Sequence, residues 1–310
     1  MNLTIKDFAN LVGDEILSLP KECVDLMEHT NLEYERMSKE EQENILLTIL
    51  KEIDRKEWER NNLFGIEKWE KGWEYNLNLF RECNYKIDSL YPKYVLNCNV
   101  DKIILRLRGE YIKTKDNLFE VKWYTIYRHW FFKKFLSEQD HIYEFGCGSC
   151  YNIPILVKLF PEKIIYGLDW AESSINILKE MQNRYKWKLE KKLFDMFNPD
   201  YNYEIKPNSA ILTMGGLEQL GNNFESFLNY ICASEARICV HMEPLVEEYD
   251  DTTFLGYVAK KFHKKRNYVG NFVGYIEKNK KNKILKVQKV HFGSRYQDSY
   301  CYVVWIPNYY

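Results

Sequence analysis

The sequence predicts an α/β fold, in which a doubly wound, mostly parallel seven-stranded sheet with antiparallel C-terminal strands follows a helical N-terminal region. From His141 onward, short apolar runs alternate with amphipathic stretches and with glycine, asparagine and proline, as in successive βαβ units. The last two apolar runs leave no room for a helix between them, which predicts antiparallel pairing at a sheet edge. Residues 1–138 lack this alternation and carry helix-period patterns instead.

Composition narrows the class of protein. The 310 residues contain 44 Lys and Arg against 45 Asp and Glu, a formal net charge of −1, which argues against a dedicated nucleic-acid-binding protein. A hydrophobic fraction of 45% with 29% charged residues is typical of a globular protein. No apolar run approaches the about 18–20 residues that span a bilayer, and the first residues lack the pattern of a signal peptide. We therefore expect a cytoplasmic protein without membrane contact.

The eight cysteines are scattered, and without a secretion signal we expect them to be free thiols. Cys147 and Cys150 are closely spaced, but a structural zinc site would need a second such pair, which the sequence lacks. A thioredoxin-like redox pair at these two positions stays open. We predict instead that both cysteines are structural members of the loop that contains them.

The N-terminal region, residues 1–138, is predicted to be helical. Ser38 and Glu41, three residues apart, predict a capping box at the start of a helix whose apolar side chains recur at intervals of three and four. Three tryptophans fall on one face of a helix: Trp58, Trp69 and Trp73. A buried core stripe is the favoured interpretation, and a substrate-facing aromatic wall is the alternative.

The second predicted unit, residues 139–310, carries the alternating strands and helices. Strands are expected at about 141–145, 163–168, 188–194, 209–214 and 236–241. Helices are expected at about 151–160, 171–184, 223–233 and 253–265. Two further strands, at 284–292 and 299–306, should pair antiparallel at one edge of the sheet.

The strongest functional signal is the segment 141–153, in which a strand, an acid, a glycine turn and a helix follow in order. Gly146 and Gly148 allow a tight turn and the close approach of a ligand, and the helix start behind them offers unpaired N–H groups. A dinucleotide fingerprint needs a third glycine where Tyr151 stands, and the Walker Gly-Lys-Ser/Thr is absent. Glu144 before the glycines would repel phosphates but pair with a cation. A ligand with a positive centre and an amino-acid portion fits this arrangement.

The ends of the next three predicted strands also carry residues that could contact a nucleoside ligand. The second strand ends at Asp169, followed by Trp170, and a carboxylate there can accept hydrogen bonds from both hydroxyls of a ribose. At the third strand end, Asp195 could accept from an adenine amino group while Met196 packs on the ring. The fourth strand ends at Met214 and runs into two glycines, where close backbone approach is again allowed.

This pattern resembles the class I S-adenosylmethionine-dependent methyltransferases, over about residues 119–306. The segment 144–148 is similar to their first motif, Asp169 to their ribose-binding acid and Asp195 to their adenine contact. Cys150 stands where many members have a third glycine. The resemblance implies S-adenosyl-L-methionine as cofactor, with contacts from Glu144, Gly146, Cys147, Gly148, Asp169, Trp170, Asp195, Met196 and Met214. A Rossmann-like fold that binds another ligand or none is the alternative.

The chemistry that the resemblance implies is an in-line transfer of a methyl group from a sulfonium to a nucleophile, with alignment supplied by the protein. Glu218 and Gln219 follow the fourth strand, where they would face either the cleft, with a catalytic role, or solvent at a helix start. The Asn/Asp-Pro-Pro-aromatic turn of amino-methyltransferases is absent at this point, which disfavours methylation of DNA or protein amines.

His241 and Glu243 lie at the end of the fifth strand and, two residues apart, project to the same side. A carboxylate can orient an imidazole and raise its basicity, so this pair is the predicted general base. A histidine that is merely hydrogen-bonded at a strand end is the alternative. A metal site with His263 is conceivable, but its spacing matches no standard ligand motif, and no metal is predicted.

The acceptor-binding residues are expected among the basic residues that follow. Residues 260–290 hold eleven Lys and Arg against one acid, which is either a solvated face or a surface that draws an anionic acceptor toward the site. The acceptor contacts would then be Tyr249, His263, Arg266 and Tyr268. RNA is a rival ligand, although recognised RNA-binding motifs are missing.

These observations together predict a methyltransferase whose N-terminal helical region partly covers the active site. The acceptor is expected to be a small polar molecule with an oxygen nucleophile, such as a sugar, sugar nucleotide or phosphate-type group of bacterial surface polysaccharides. An RNA or nucleotide methyltransferase and a non-catalytic scaffold that binds the cofactor are the alternatives.

Overall fold

The computed structural model describes residues 1–56, 65–92 and 104–308. Its helices are α1 (Ile5–Val12), α2 (Lys21–His29), α3 (Lys39–Ile53), α4 (Ile66–Glu82), α5 (Phe119–Phe135), α6 (Ile153–Leu159), α7 (Glu172–Tyr185), α8 (Glu225–Ala233), α9 (Phe254–Lys265) and α10 (Phe272–Lys278). Its strands are β1 (Tyr34–Arg36), β2 (Ile104–Leu107), β3 (Glu110–Thr114), β4 (His141–Phe145), β5 (Ile164–Asp169), β6 (Leu189–Leu193), β7 (Ser209–Met214), β8 (Ala236–Met242), β9 (Lys283–Gln288), β10 (Phe292–Ser294) and β11 (Tyr302–Ile306). Within these residues, no helix is long and apolar enough to cross a bilayer.

The larger sheet has seven strands in the order β6-β5-β4-β7-β8-β11-β9. Strands β4 to β8 run parallel, whereas β11 pairs antiparallel with both β8 and β9. The predicted α/β fold with antiparallel C-terminal strands is therefore confirmed. The strand order reverses at β4, which has β5 on one side and β7 on the other. Open α/β sheets bind ligands in the crevice that such a reversal opens at the carboxyl ends of the strands.

The central strands owe their position to their apolar sequence. Strands β4, β5 and β7 are buried along nearly their whole length, as parallel strands that are covered by helices on both faces must be. The four helices predicted between the strands are present as α6 to α9, with bounds within about two residues of those expected.

The predicted helical N-terminal region is present, but it also contains strands that the sequence did not indicate. Strands β1, β2 and β3 lie in it and, with β10, form a second sheet in the order β1-β3-β2-β10. The turn between β2 and β3 consists of Arg108 and Gly109, whose φ angles are +54° and +79°. Two successive residues with positive φ are typical of a tight hairpin turn. Strands of four and five residues are too short for their alternation to stand out in the sequence.

The tail strand predicted at 284–292 is also divided. Strand β9 ends at Gln288, and the chain then crosses to the second sheet, where Phe292 pairs with Leu107. The ring of Phe292 packs on that of Trp123 in α5, with centroids 4.2 Å apart. A shared sheet and a continuous hydrophobic core thus cross the boundary drawn between residues 138 and 139.

The capping box predicted at Ser38 is present at the start of α3. The Ser38 side chain accepts a hydrogen bond from the Glu41 N–H, and the Glu41 carboxylate accepts one from the Ser38 N–H. Ser38→Ala should therefore lower the free energy of unfolding by about 1 kcal/mol. Thr48→Ala, at an exposed position inside the same helix, is the matched control and should change it by less than about 0.5 kcal/mol. Urea unfolding of both variants measures the difference, and equal losses would contradict the role of the box.

Candidate active site

A cavity of about 920 Å³ lies at the carboxyl ends of β4, β5 and β7. The glycine turn after β4 forms its floor, and Asp169 at the end of β5 lies beside that turn. Aromatic side chains from outside the seven-stranded sheet also line the cavity, among them Trp73 of α4 and Tyr124 of α5. The cavity therefore combines strand ends of the sheet with helices of the N-terminal region.

The glycine turn adopts a backbone that favours residues without a side chain. Gly146 and Gly148 have φ angles of +70° and +54°. A Cβ on Gly146 would come within 3.3 Å of Met196 Cε, and one on Gly148 within 2.8 Å of Trp73 Cζ2. Cys150, where a third glycine was noted as missing, also has a positive φ of +60°. The sequence thus places a side chain at one left-handed position of the turn, where strain is expected.

Cys147 and Cys150 are buried in this turn as free thiols with their Sγ atoms 3.9 Å apart. Burial raises the pKa of the Cys150 thiol, and the neighbouring Cys150 together with burial raises that of Cys147. A thiolate is the reactive form of cysteine, so both side chains are poor nucleophiles here. This environment agrees with the predicted structural role.

Glu144 is fully buried at the end of β4 and borders the cavity. Its Oε1 accepts a hydrogen bond from Asn152 Nδ2 at 2.6 Å, whereas no donor among the described residues reaches Oε2. Burial raises the pKa of Glu144 to about 7, against the opposing effects of Asn152 and Arg128. A carboxylate oxygen without a partner beside a cavity is suited to a cationic group of a ligand.

Arg128 of α5 binds Asn152, the hydrogen-bond partner of Glu144, and the sequence did not indicate this role. Its guanidinium donates to the Asn152 Oδ1 and to the Tyr151 carbonyl, at 3.2 and 2.9 Å. The side chain lies between the rings of Tyr124 and Tyr151, at 4.7 and 3.7 Å from their centroids. Arg128 therefore fixes the amide that holds Glu144.

Asp169 ends β5 and connects three segments. Its Oδ2 accepts from the Gly148 N–H at 2.8 Å, and its Oδ1 accepts from the Ala171 N–H at 2.9 Å. Burial raises the pKa of Asp169 to about 6, and these two hydrogen bonds act in the opposite direction. Each carboxylate oxygen keeps a second acceptor site, so the bidentate contact with ribose hydroxyls that the sequence suggested is compatible with this geometry.

The structure uses Asp195 differently from the sequence prediction. Its carboxylate accepts from the Phe197 N–H at 2.8 Å and from Asn198 Nδ2 at 3.0 Å, as in a local Asx turn. The cavity wall at this strand end is made by Met196 and Phe197. The adenine contact of Asp195 therefore stays a prediction, and apolar packing is what this edge offers. Two other predicted cofactor contacts, Trp170 and Met214, do border the cavity.

The predicted general base, His241, lies outside the cavity wall. Its imidazole is fully buried between the rings of Phe272 and Trp305, with centroids 5.2 and 6.2 Å away. Burial lowers its pKa to about 3. Met242, the next residue of β8, borders the cavity, so alternation along the strand turns His241 to the opposite face of the sheet. The prediction that His241 acts as a base toward an acceptor is therefore wrong.

Glu243 shares that face, as its spacing from His241 predicted, but it positions a loop. Its carboxylate accepts from Thr213 Oγ1 at 2.8 Å and from the N–H groups of Leu217 and Glu218 at 3.2 and 3.0 Å. Because the Thr213 hydroxyl donates to Glu243, it accepts from the Nδ1–H of His241 at 2.9 Å. Burial raises the pKa of Glu243 to about 7. The predicted catalytic contact of Glu243 is replaced by a structural one.

Glu218 and Gln219 face the cavity, which favours the first of the two interpretations that the sequence left open. Both belong to the 3-10 helix Leu217–Asn223, whose first N–H groups Glu243 holds. The Gln219 side-chain amide donates to Glu218 Oε1 at 2.6 Å. A carboxylate and an amide are thus presented together at the end of β7.

Two of the four predicted acceptor contacts border the cavity. Arg266 and Tyr268 lie on its wall, with Arg266 Nε donating to the Tyr268 hydroxyl at 3.3 Å. Tyr249 and His263 are wrong predictions, because both are buried outside the wall. The Tyr249 hydroxyl donates a hydrogen bond to the Asp298 carbonyl at 2.9 Å, and the His263 Nε2–H donates one to the Val269 carbonyl. Within the described residues, no group of three or more His, Cys, Asp or Glu could hold a metal ion.

Several cavity residues were assigned to the core from the sequence or were not identified at all. Trp69 and Trp73 border the cavity, so the favoured core-stripe interpretation is wrong and the aromatic wall is the better one; Trp58 lies outside the described residues. Glu120 of α5 also reaches the cavity, where it accepts from the Tyr300 hydroxyl at 2.9 Å. Helical spacing showed that the tryptophans share a face, but it carries no signal for what that face meets.

Comparison with known proteins gives a likeness of fold. No protein-family model matches the chain, and no curated protein matches it. The solved structures that it resembles include the geranyl diphosphate C-methyltransferase of Streptomyces coelicolor A3(2), in complex with Mg²⁺, geranyl diphosphate and S-adenosyl-L-homocysteine. That alignment has a TM-score of 0.46 and 8% identity and covers 75% of this chain and 98% of the other.

Two further structures show the same likeness. The plantazolicin methyltransferase BpumL aligns with a TM-score of 0.43 and 12% identity, over 78% of this chain and 97% of the other. A SAM-dependent methyltransferase from Aquifex aeolicus aligns with a TM-score of 0.40 and 19% identity, over 55% and 83%. Such low identities and TM-scores describe a likeness of fold and carry no information about the ligand of this chain, which has to be inferred from its own residues.

The buried carboxylate of Glu243 leads to a prediction about pH. Its pKa of about 7 in the folded protein lies above the ordinary value of 4.5, so the native state holds a proton that the unfolded chain has lost. Glu243 thus contributes stability that is present below about pH 4.5 and is lost as the pH rises through about 7. Glu243→Gln carries no titrating group at this position and does not lose this stability. The unfolding free energy of the variant minus that of wild type should therefore increase with pH across this window, by at most about 1.4 kcal/mol per pH unit.

Urea unfolding of wild type and Glu243→Gln between pH 5 and 8 measures that slope. Glu225→Gln, at an exposed position in the first turn of α8, is the control and should give a difference that does not depend on pH. A pH-independent difference for Glu243→Gln as well would show that Glu243 is ionised in the native state throughout the range.

Proposed function

We propose that this protein is an S-adenosylmethionine-dependent methyltransferase that acts on a small-molecule acceptor. The observation that carries the proposal is the pair of buried acids on either side of the glycine turn. Glu144 presents an unpartnered oxygen next to the cavity, and Asp169 binds the turn while keeping acceptor capacity. The turn itself borders the cavity at Gly146 and Gly148, so its backbone forms part of the wall against which a ligand would lie.

The residues present fit the chemical groups of this cofactor. The α-ammonium group of its amino-acid portion is matched by the Glu144 Oε2, and its ribose hydroxyls by the remaining acceptor sites of Asp169. Met196 and Phe197 offer an apolar surface for a flat base. Bound here, the cofactor would supply an electrophilic methyl group on a sulfonium. The chain would contribute the orientation of that methyl and the exclusion of water.

The acceptor would lie beyond the ends of β7 and β8, next to Met214 and Met242. Glu218 stands at this position, with its carboxylate oriented by Gln219, and could take a proton from a hydroxyl acceptor. Glu243 would act through the loop that it holds, as a positioning residue. Arg266 lies on the same wall and favours an acceptor with negative charge.

For the chemical class of the acceptor, we retain the proposal of a small polar molecule with an oxygen nucleophile. Glu218 and Arg266 support it, since one can bind a hydroxyl proton and the other an anionic group. A sugar or phosphate-type acceptor of surface-polysaccharide modification satisfies both requirements. The aromatic side chains Tyr124, Tyr268 and Tyr300 add flat surfaces on which a sugar ring could pack.

The identity of the cofactor can be tested by calorimetry. Wild-type protein should bind S-adenosylhomocysteine and should not bind NAD. Asp169→Asn should weaken the binding by about 1–3 kcal/mol, because the contacts of a charged group to the ribose are lost. Asp200→Asn, at an exposed position that pairs with Lys192, is the matched control. Unchanged affinity in Asp169→Asn would show that this carboxylate does not contact the ligand.

Proton transfer by Glu218 can be tested with a small-molecule cell extract as the source of acceptor and with S-adenosylhomocysteine production as the readout. Glu218→Gln should lower the rate by roughly 10²–10⁴, while its affinity for S-adenosylhomocysteine stays that of wild type. Glu225→Gln serves as the control for a Glu-to-Gln change outside the cavity. A Glu218→Gln variant that turns over at the wild-type rate would remove Glu218 from the chemistry.

A further inference from the structure

Helix α4 of the N-terminal region brings two tryptophans to the cavity. The rings of Trp69 and Trp73 are stacked, with centroids 5.7 Å apart and an angle of 23° between their planes. Both side chains are half-buried and border the cavity. Stacked indoles that stay accessible in a cavity present a large flat surface to whatever enters it.

Trp73 also contacts the glycine turn after β4. A Cβ on Gly148 would come within 2.8, 3.1 and 3.2 Å of three atoms of the Trp73 ring, so the indole lies directly on the backbone of that glycine. The lack of a side chain at Gly148 therefore serves two purposes. It permits the left-handed backbone of the turn, and it lets an aromatic ring from another part of the chain close over it.

The position of α4 is fixed by polar contacts with α7, the helix that follows Asp169. Helix α7 has Ala171 at its N-cap, which offers no side-chain acceptor. Glu70, located between the two tryptophans, takes this role from outside: its carboxylate accepts from the Ser173 N–H at 3.0 Å and from the Ser173 hydroxyl. Capping of this kind stabilises the start of a helix, because it satisfies N–H groups that have no partner within the helix.

A second contact lies three turns further along α4. Arg81 Nε donates to Glu180 Oε1 of α7 at 2.8 Å. Two fixed points along the helix define its register against α7, and this register places Trp73 over Gly148. The same contacts bring the Glu70 carboxylate close enough to Asp169 to act on its pKa in the raising direction.

We propose that Trp69 and Trp73 are cofactor-binding residues that form the roof of the S-adenosyl pocket, so that α4 is part of the binding site. The proposal rests on the function proposed above. The ligand class is a thioether or sulfonium nucleoside, whose flat base and positive sulfur both interact favourably with an indole face. Glu70 is a positioning residue that holds this roof in place.

The test is calorimetry with S-adenosylhomocysteine on the full chain. Trp73→Ala should weaken binding about tenfold or more, and Trp73→Phe, which keeps an aromatic face, should restore most of the affinity. Trp187→Ala is the matched control, because Trp187 is a half-buried tryptophan that stacks on Tyr185 just beyond the far end of α7 and does not border the cavity. It should bind within about twofold of wild type.

The outcomes separate the two proposals. Wild-type protein that does not bind S-adenosylhomocysteine would overturn the proposed function itself. Wild-type binding that Trp73→Ala leaves unchanged would overturn the roof, as would tighter binding by Trp73→Ala, which would mean that the indole occupies the space of the ligand. If Trp73→Ala does not fold, Trp73→Leu and Trp73→Phe replace it: equal affinity of these two variants would overturn the role of the aromatic face.

Discussion

The carboxylate of Asp169 is the contact on which the geometry of the cavity depends. One oxygen holds the Gly148 N–H and the other the Ala171 N–H, so a single side chain fixes the turn after β4, the end of β5 and the approach to α7. The glycine turn has little preference for one shape by itself, because glycine has many accessible backbone conformations and loses more conformational freedom on folding than any other residue. Without a fixed acceptor at this point, the turn would lack the defined shape that a ligand needs.

The same device recurs at the end of β8. Glu243 accepts backbone N–H groups at the start of the 3-10 helix that follows β7, and thereby fixes the segment that carries Glu218. In both places a buried acid on one strand orders the loop of its neighbour. The pKa values of Asp169 and Glu243 are raised because burial outweighs these hydrogen bonds. The loops at these strand ends are thus ordered by carboxylates whose charged form is disfavoured by burial.

Much of the fold could be predicted from the sequence, because parallel strands with helices between them leave a regular pattern of apolar runs and turns. The glycine turn and Asp169 were located by the same pattern, since they follow strands directly. The error at His241 has a physical origin. A period of two shows that His241 and Glu243 share a face, but both faces of this sheet are covered, so the pattern does not tell which face borders the cavity. The hairpin of β2 and β3 was missed because its strands are too short to show an alternating pattern. The contacts of Trp73 with the glycine turn join residues distant in sequence, for which one chain gives no signal.

The pairing of β10 with β2 has a consequence for how the chain matures. Residues 292–294 complete a sheet whose other strands lie before residue 115, so these strands emerge from the ribosome long before their partner. Until then, the edge of β2 exposes unpaired backbone groups and a row of apolar side chains, which is a surface prone to association with other chains. The edge of β2 therefore stays open to such association until β10 has been synthesised.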